Sequence, residues 1–534
     1  MTKRIDHVRR PTCARDGQRG EGRQAGPTAL NERIPRNRWI AFGAMLQLAV
    51  LALACGPGGG GLADNGGMSG TGVSQGPISS FGSIFVNGVR WDLSSASIEI
   101  DGVPAPESDL RVGMVVRVEG DFDAGNLGGT ATRVQFEDEL EGPIASAPIE
   151  IVPGQVKTFA ILGQAVTVDV FETIFDGGAT FATLAAGDVL EVSGFPDGSG
   201  AISTSRVSLR GVFPADDDVS LVGPVTNLVV NPDDSGMFDL GTVTVRFTPT
   251  TPFTDVTRTA LMDGDRVKVQ GMLRLSGTEI DATGVESEGD GLGVDDLDRV
   301  EIEGVAATCA SSPDFCVDGV PVDISMASFD PPTFVPMVGD LIEVEGPLVA
   351  GTLEATEVES EEEDANQRNV RVDAEVTSVD PVGQTLVVLG VTFVADGDTV
   401  LEDDSSVGDE NFGFAEILVG DFVEVRGVDD GGATVRALSI ERDDATAGVD
   451  EVRLEGPVTA LDTLTPTIEI LGQAIPLDVG TLYFDDTGAP RTEEEFFRTP
   501  GDVMIGDIVS AKDAAAADLT TVGEGDEVSL EDPI

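Results

Sequence analysis

The chain has 534 residues, 66 of them glycine and 29 proline, with 41% hydrophobic and 5% aromatic residues. That length calls for several domains, and that balance suits short strands and tight turns rather than a disordered chain. A formal net charge of −63 disfavours nucleic acid and anionic membrane surfaces as partners of the folded part, since both recruit clustered Lys and Arg.

In chain order, an arginine-rich stretch over 1–38 leads into the apolar run Trp39–Ala54, "WIAFGAMLQLAVLALA". This run is shorter than the ~20 residues that span a bilayer. A basic region, an apolar stretch and a small residue before a cleavage point predict a signal peptide over 1–54. "LALAC" resembles the lipobox of bacterial lipoproteins, with Ala54 ahead of the cysteine. The resemblance implies lipidation of Cys55 with a thioether-linked diacylglycerol and an acylated amine; conventional cleavage at Ala54 or beyond is the alternative. Each buried methylene would add ~0.8 kcal/mol to such an anchor. Residues 55–75 then form a glycine-rich tether. Gly56, in place of aspartate, resembles lipoproteins sorted to the outer membrane, with periplasmic and surface-facing orientations both open.

After the tether one pattern recurs. A strand opens with Gly76-Pro77-Ile78, Gly142-Pro143-Ile144, Gly223-Pro224-Val225 or Gly456-Pro457-Val458, and in weaker form with Gly304-Val305 and Ala374-Glu375-Val376. A glycine turn between apolar runs follows, such as "VNGVRW" or "LGQAVTV". Then comes a phrase built like "ILVGDFVEVRG" (417–427), whose first glycine recurs at 113, 187, 264, 339, 420 and 506. The spacings of 74, 77, 75, 81 and 86 residues predict a repeated domain of five or six strands. Apolar residues alternate within each phrase, the period of a half-buried strand, and no persuasive helical period appears after Cys55. The expected fold is all-β: six tandem small β-barrels over 76–141, 142–211, 221–288, 300–360, 370–442 and 451–534. A sheet of that size must curl to bury one face and hide its edges.

"GPISSFGSIFVNGVRWD", "LRVGMVVRVEG" and "ATRVQFEDELEGPI" carry a resemblance to bacterial exported domains known as domain of unknown function 5666. The resemblance spans 76–534, weakening in the last unit, where Asp513 replaces the phrase's final glycine. It implies barrels of the oligonucleotide/oligosaccharide-binding (OB) type in an exported setting, and no particular activity.

Candidate sites are few. His7 is the chain's one histidine and lies within the signal region, so Ser-His-Asp relays and histidine-bound zinc are excluded beyond it. A pair of carboxylates, as in a glycan hydrolase, remains chemically open. No pair stands out among so many acids, and we expect a protein that is not an enzyme. Acid-rich joints separate the units, and oxygen-rich clusters suit calcium. Asp216, Asp217, Asp218, Asp295, Asp296 and Asp298 are the candidate ligands; solvated linkers are the alternative, and no other cofactor is expected. Cys309 and Cys316 are expected to pair as a disulfide in the fourth unit. Trp91 and Phe422 alternate with apolar neighbours and are expected in cores. The aspartates after the phrase glycine, Asp188, Asp265, Asp340, Asp421 and Asp507, are expected to tie turns through a nearby backbone N–H. Together these features predict a non-catalytic envelope lipoprotein anchored in the membrane. It would act as a structural or binding spacer for an unknown protein or glycan. A calcium-dependent adhesive or matrix protein is the alternative.

Overall fold

Each repeat needs to bury one face of a short sheet, and it does so by closing the sheet on itself. The computed structural model describes residues 71–531 except 124–127, 153, 171, 198–199, 216, 288–291, 294–295, 309–313, 362–368, 410, 430, 463–465, 486–487, 498–502 and 524. In barrel 1 the five strands are Thr71–Ser80, Ile84–Val86, Val89–Asp92, Val115–Phe122 and Gly128–Phe136. The first pairs the second and the fourth, the second pairs the third, the third runs parallel to the fifth, and the fourth pairs the fifth. That closed order is the OB topology. It recurs from the first strands Leu140–Pro143, Asp218–Val230, Leu297–Ala307, Asn369–Asp380 and Val452–Asp462. Alternate residues fill each core; in barrel 1 these include Ile78, Trp91, Val116, Val118 and Phe136.

The recurring phrase is a turn followed by the fourth strand. Its first glycine has φ between +78° and +108° in all six copies, a backbone region that a side chain adopts only with strain. That glycine's N–H bonds the first strand's carbonyl, as in Gly420 to Val376 at 2.9 Å and Gly264 to Val225 at 2.8 Å. The aspartate ties the turn as expected, but it reaches backward. Its carboxylate accepts the N–H three residues upstream in all five copies that carry it: from Ala185, Met262, Met337, Leu418 and Met504, at 2.7 to 2.9 Å. The phrase's last glycine does not end the strand. Gly120, Gly194, Gly271 and Gly427 sit where the register with the fifth strand shifts. A Cβ at any of them would come within 2.1 to 2.6 Å of a fifth-strand carbonyl. These are the bulges at which the sheet bends into a barrel.

The barrels are not strung out in sequence order. They join through their first strands, as barrels 1 and 4, 2 and 3, and 5 and 6. Gly72–Gln75 lies parallel to Arg299–Ile302, Ser220–Leu221 antiparallel to Leu140–Glu141, and Arg371–Asp373 antiparallel to Arg453–Glu455. The later half of each first strand turns to its own barrel, as in Ile78 opposite Val86 or Val376 opposite Val388. The Gly-Pro pair marks the changeover, where proline's missing N–H needs no acceptor. Barrel 5 has Glu375 there, and its N–H finds the Leu519 carbonyl of barrel 6 at 2.9 Å. The six barrels thus form three interlocked pairs. The one α-helix among the described residues, Glu493–Phe497, was not foreseen. Thr492 and Glu495 form its capping box, each side chain accepting the other's N–H at 3.3 and 3.0 Å.

Replacing Asp421 by Ala should cost about 1–2 kcal/mol by orphaning the Leu418 N–H, and Gly420→Ala a similar amount through backbone strain. Both should lower the first thermal unfolding midpoint, and unchanged midpoints would mean that the turn does not hold the barrel.

Candidate binding cleft and inter-barrel ion pairs

The described residues of barrels 1 and 2 meet along a cleft of about 520 Å³. Its barrel 1 wall carries Ile100, Val103, Asp109, Arg111 and Met114, and its barrel 2 wall Asp176, Glu191, Arg206 and Arg210. The walls are fixed by cross-barrel bonds: Ser205 Oγ donates to the Gly113 carbonyl at 2.7 Å, and Val115 N–H donates to Ser193 Oγ at 2.8 Å. Along the floor Arg206, 3% exposed, pairs with Asp176 and with Glu191 Oε1 at 3.1 Å. Arg210 holds the other oxygen of Glu191 at 2.6 Å. Burial pushes the Asp176 carboxyl up, but the Arg206 guanidinium, the Gly177 N–H and Arg111 together outweigh it and hold Asp176 below the usual range. Arg206 Nε is buried without an acceptor. The lining thus offers preorganised donors and acceptors of both signs beside an apolar edge, the chemistry of a polar ligand rather than a polyanion.

A second hub joins barrels 1 and 3. Lys268, 3% exposed, points at Asp138 Oδ1 (2.9 Å), Asp101 Oδ1 (3.2 Å) and Glu137 Oε2 (3.5 Å). Burial pulls the ammonium down, yet the three carboxylates outweigh it and hold it protonated well above the ordinary range. Asp138 is pushed up to about 7 by burial against the pull of Lys268. The joint sequence "FEDELEG" is therefore no solvated linker, since Asp138 and Leu140 within it are buried.

The residues singled out from sequence fare unevenly. Cys55, Cys309, Asp216 and Asp295 lie outside the described residues. Cys316 is buried in the second strand of barrel 4 and disulfide-bonded. Asp217 lends its backbone carbonyl to Leu273 N–H at 2.7 Å, and Asp218 begins the first strand of barrel 3. Asp296 accepts the Ala350 N–H at 3.0 Å, and Asp298 is exposed on the first strand of barrel 4. Among the described residues no group of three or more His, Cys, Asp or Glu side chains is arranged to hold a metal ion. Trp91 is fully buried, edge-on to Phe122 at 4.8 Å, and Phe422 packs against the core of barrels 5 and 6. The cleft and the Lys268 hub were missed from sequence. A signal existed: these side chains belong to the few cations of a strongly acidic chain.

Fold and repeat together define a tandem array of OB-like barrels. The family model described as Domain of unknown function (DUF5666) matches residues 75–135, 141–208, 222–286, 301–359 and 374–441. The chain belongs to that family. Residues 452–531 repeat the strand order beyond the matched segments. No curated protein matches the chain in sequence. Among solved structures, drosophila Unr CSD456 is 14% identical with a TM-score of 0.14, the match covering 41% of this chain and 97% of that one. A deletion mutant of the single-stranded DNA binding protein from Thermus aquaticus is 13% identical with a TM-score of 0.15, covering 29% of this chain and 94% of that one.

Losing one partner of a buried ion pair costs about 3–5 kcal/mol, and Lys268→Met should destabilise the chain by that order at neutral pH. The loss should shrink on acidification, as Asp138 protonates, and the further change Asp138→Leu should recover most of it. A double mutant no better than the single one, by thermal melting, would contradict the hub.

Proposed function

We propose that the chain is a non-catalytic, exported envelope lipoprotein, held at the membrane through Cys55, whose interlocked barrels form a structural and ligand-binding body. The observation that carries the binding role is the cleft between barrels 1 and 2, with its Arg206–Glu191–Arg210 chain, buried at Arg206 and Glu191 and exposed at Arg210. Its lining of accessible charged groups of both signs, Arg210, Asp176 and Arg111 among them, suits a polar segment of protein or a glycan. The anchor rests on the basic and apolar leader and "LALAC", and outer-membrane sorting on Gly56. Interlocked pairs favour a rigid platform over an extensible spacer, since bending the array would expose paired strand edges.

Cells given labelled fatty acid should yield labelled protein, and Cys55→Ala should abolish the label and release the chain from membranes. An unlabelled, normally located Cys55→Ala protein alongside an unlabelled wild type would contradict the anchor. Arg206→Ala should reduce crosslinking to envelope protein or glycan in intact cells while the anchor stays labelled.

A further inference from the structure

On the outer face of barrel 4, strand register stacks like charges. Glu303 stands opposite Glu343, and Glu343 opposite Glu359; one step along, Glu301 stands opposite Glu345, and Glu345 opposite Glu357. Directly opposed like charges destabilise a sheet unless something answers them. Arg299 answers the second row, with Nε 2.8 Å from Glu301 Oε1 and Nη2 3.2 Å from Glu345 Oε2.

In the first row Glu303 and Glu343 are instead partly buried beside other barrels, while Glu359 at its end is exposed. Barrel 1 and barrel 5 are tied there by Ser79 Oγ donating to the Gly397 carbonyl at 2.6 Å and Phe81 N–H donating to the Phe412 carbonyl at 3.3 Å. The barrel 1 hairpin Asn87–Gly88 lies in the seam, with the Gly88 N–H donating to the Asp398 carboxylate of barrel 5. Asn87 Nδ2 donates to the Gln75 carbonyl at 3.2 Å, leaving Oδ1 buried without a donor. That oxygen and Glu303 Oε2 both crowd Gly76, at 1.9 and 3.3 Å from where a Cβ there would stand. The charged groups facing the seam are Asp330, Glu301, Glu343, Glu357, Glu359 and Glu361 of barrel 4, Glu172 of barrel 2, and Asp396, Asp398 and Arg436 of barrel 5. Arg436 is the single cation among these named groups.

We propose that this seam is a proton-dependent clamp, in which a protonated Glu303 donates to Asn87 Oδ1 and holds barrel 4 against barrels 1 and 5 until ionisation opens it. The orphaned acceptor calls for a donor, and a neutral carboxyl is the group beside it. Burial, followed by Glu361 and Asp398, pushes Glu303 well above the carboxylate range, and burial with Glu361 and Glu301 does the same to Glu343. Burial and Glu359 lift Glu361 to about 7, while burial and Asp396 lift Asp398 to about 6 against Arg436. All four values are raised in the closed seam. Its stability is therefore complete below the ordinary carboxylate range and is lost as pH rises through these higher values. The direction is opposite to that of a salt-bridged acid such as Asp403, which Arg442 holds low despite burial.

The test compares the full chain with Glu303→Gln, which keeps a donor for Asn87 and removes the titration, in chelator-treated buffer. Amide protection factors at Gly88 and Asp398 should fall about tenfold or more in the wild type between about pH 5 and about pH 8, and stay level in the variant. The variant should melt higher than wild type near pH 8 and coincide with it near pH 4.5. Asp398→Asn should shift the same amides in the same direction and serves if Glu303→Gln does not fold. A variant that follows the wild-type pH profile, or melts lower at every pH, would overturn the clamp. So would protection at pH 8 restored by added calcium alone, which would make the seam a cation site.

Discussion

The structure rests on an unpaired strand edge. In five of the six barrels the first strand is longer than its own barrel can use, because its second strand covers only the later part; barrel 2, whose first strand is Leu140–Pro143, meets its second strand only at Ile144 and Ile161. The early half would expose free N–H and C=O groups, a template for aggregation. Each barrel answers by laying that half against the same half of another barrel. Six copies give three pairs, and the pairing is not set by neighbourhood in sequence, since barrel 1 takes barrel 4. The Gly-Pro pair at the changeover follows from the same constraint, as does the substitute acceptor that Leu519 provides for Glu375.

Interlocking an acidic chain brings carboxylates into contact, and two solutions appear. Where a cation is within reach, buried ion pairs stitch barrels or strands: Lys268 at Asp138 between barrels 3 and 1, Arg206 at Glu191 beside the cleft, and Arg371 at Asp373 and Glu424 in barrel 5. Where nearby cations do not offset burial, carboxyls are pushed up by burial and by one another. Glu402 and Glu441, on adjacent strands of barrel 5, are lifted to about 8, as burial and neighbouring acids outweigh nearby guanidinium groups. Charge that keeps the outside soluble is thus partly neutralised inside, by arginine and lysine in some seams and by retained protons in others. The same acids cannot be read alike. Asp421 is a turn tie, Asp138 a buried hub and Glu303 a carboxyl that burial and neighbouring acids push toward its neutral form, although all three lie near a strand.

Much of the fold was legible because it is local and repeated. The alternation in "ILVGDFVEVRG", its fixed spacing and the turn glycines are short-range signals, and six copies separate them from chance. The tie made by Asp421 was legible in kind but not in direction, since a side chain can reach an N–H on either side of a turn. Gly427 is ambiguous in sequence because a bulge and a strand terminus both favour glycine, and only the close approach of the Arg436 carbonyl tells them apart. Pair choice, the cleft and the Glu303 seam were not legible. They depend on which barrels meet, and no period along the chain encodes that. Thr492 and Glu495 did carry a readable capping signal, hidden by the brevity of the helix they cap.

The most direct measurement is residue-resolved amide exchange along Gly72–Gln75 of the first strand. Successive N–H groups of a strand point to opposite neighbours. Pairing with both barrel 1's fourth strand and barrel 4's first strand predicts that consecutive amides there are all protected. Protection of every second amide, with the others exchanging as at an open edge, would mean that barrel 4 is absent and that the interlocked account is wrong.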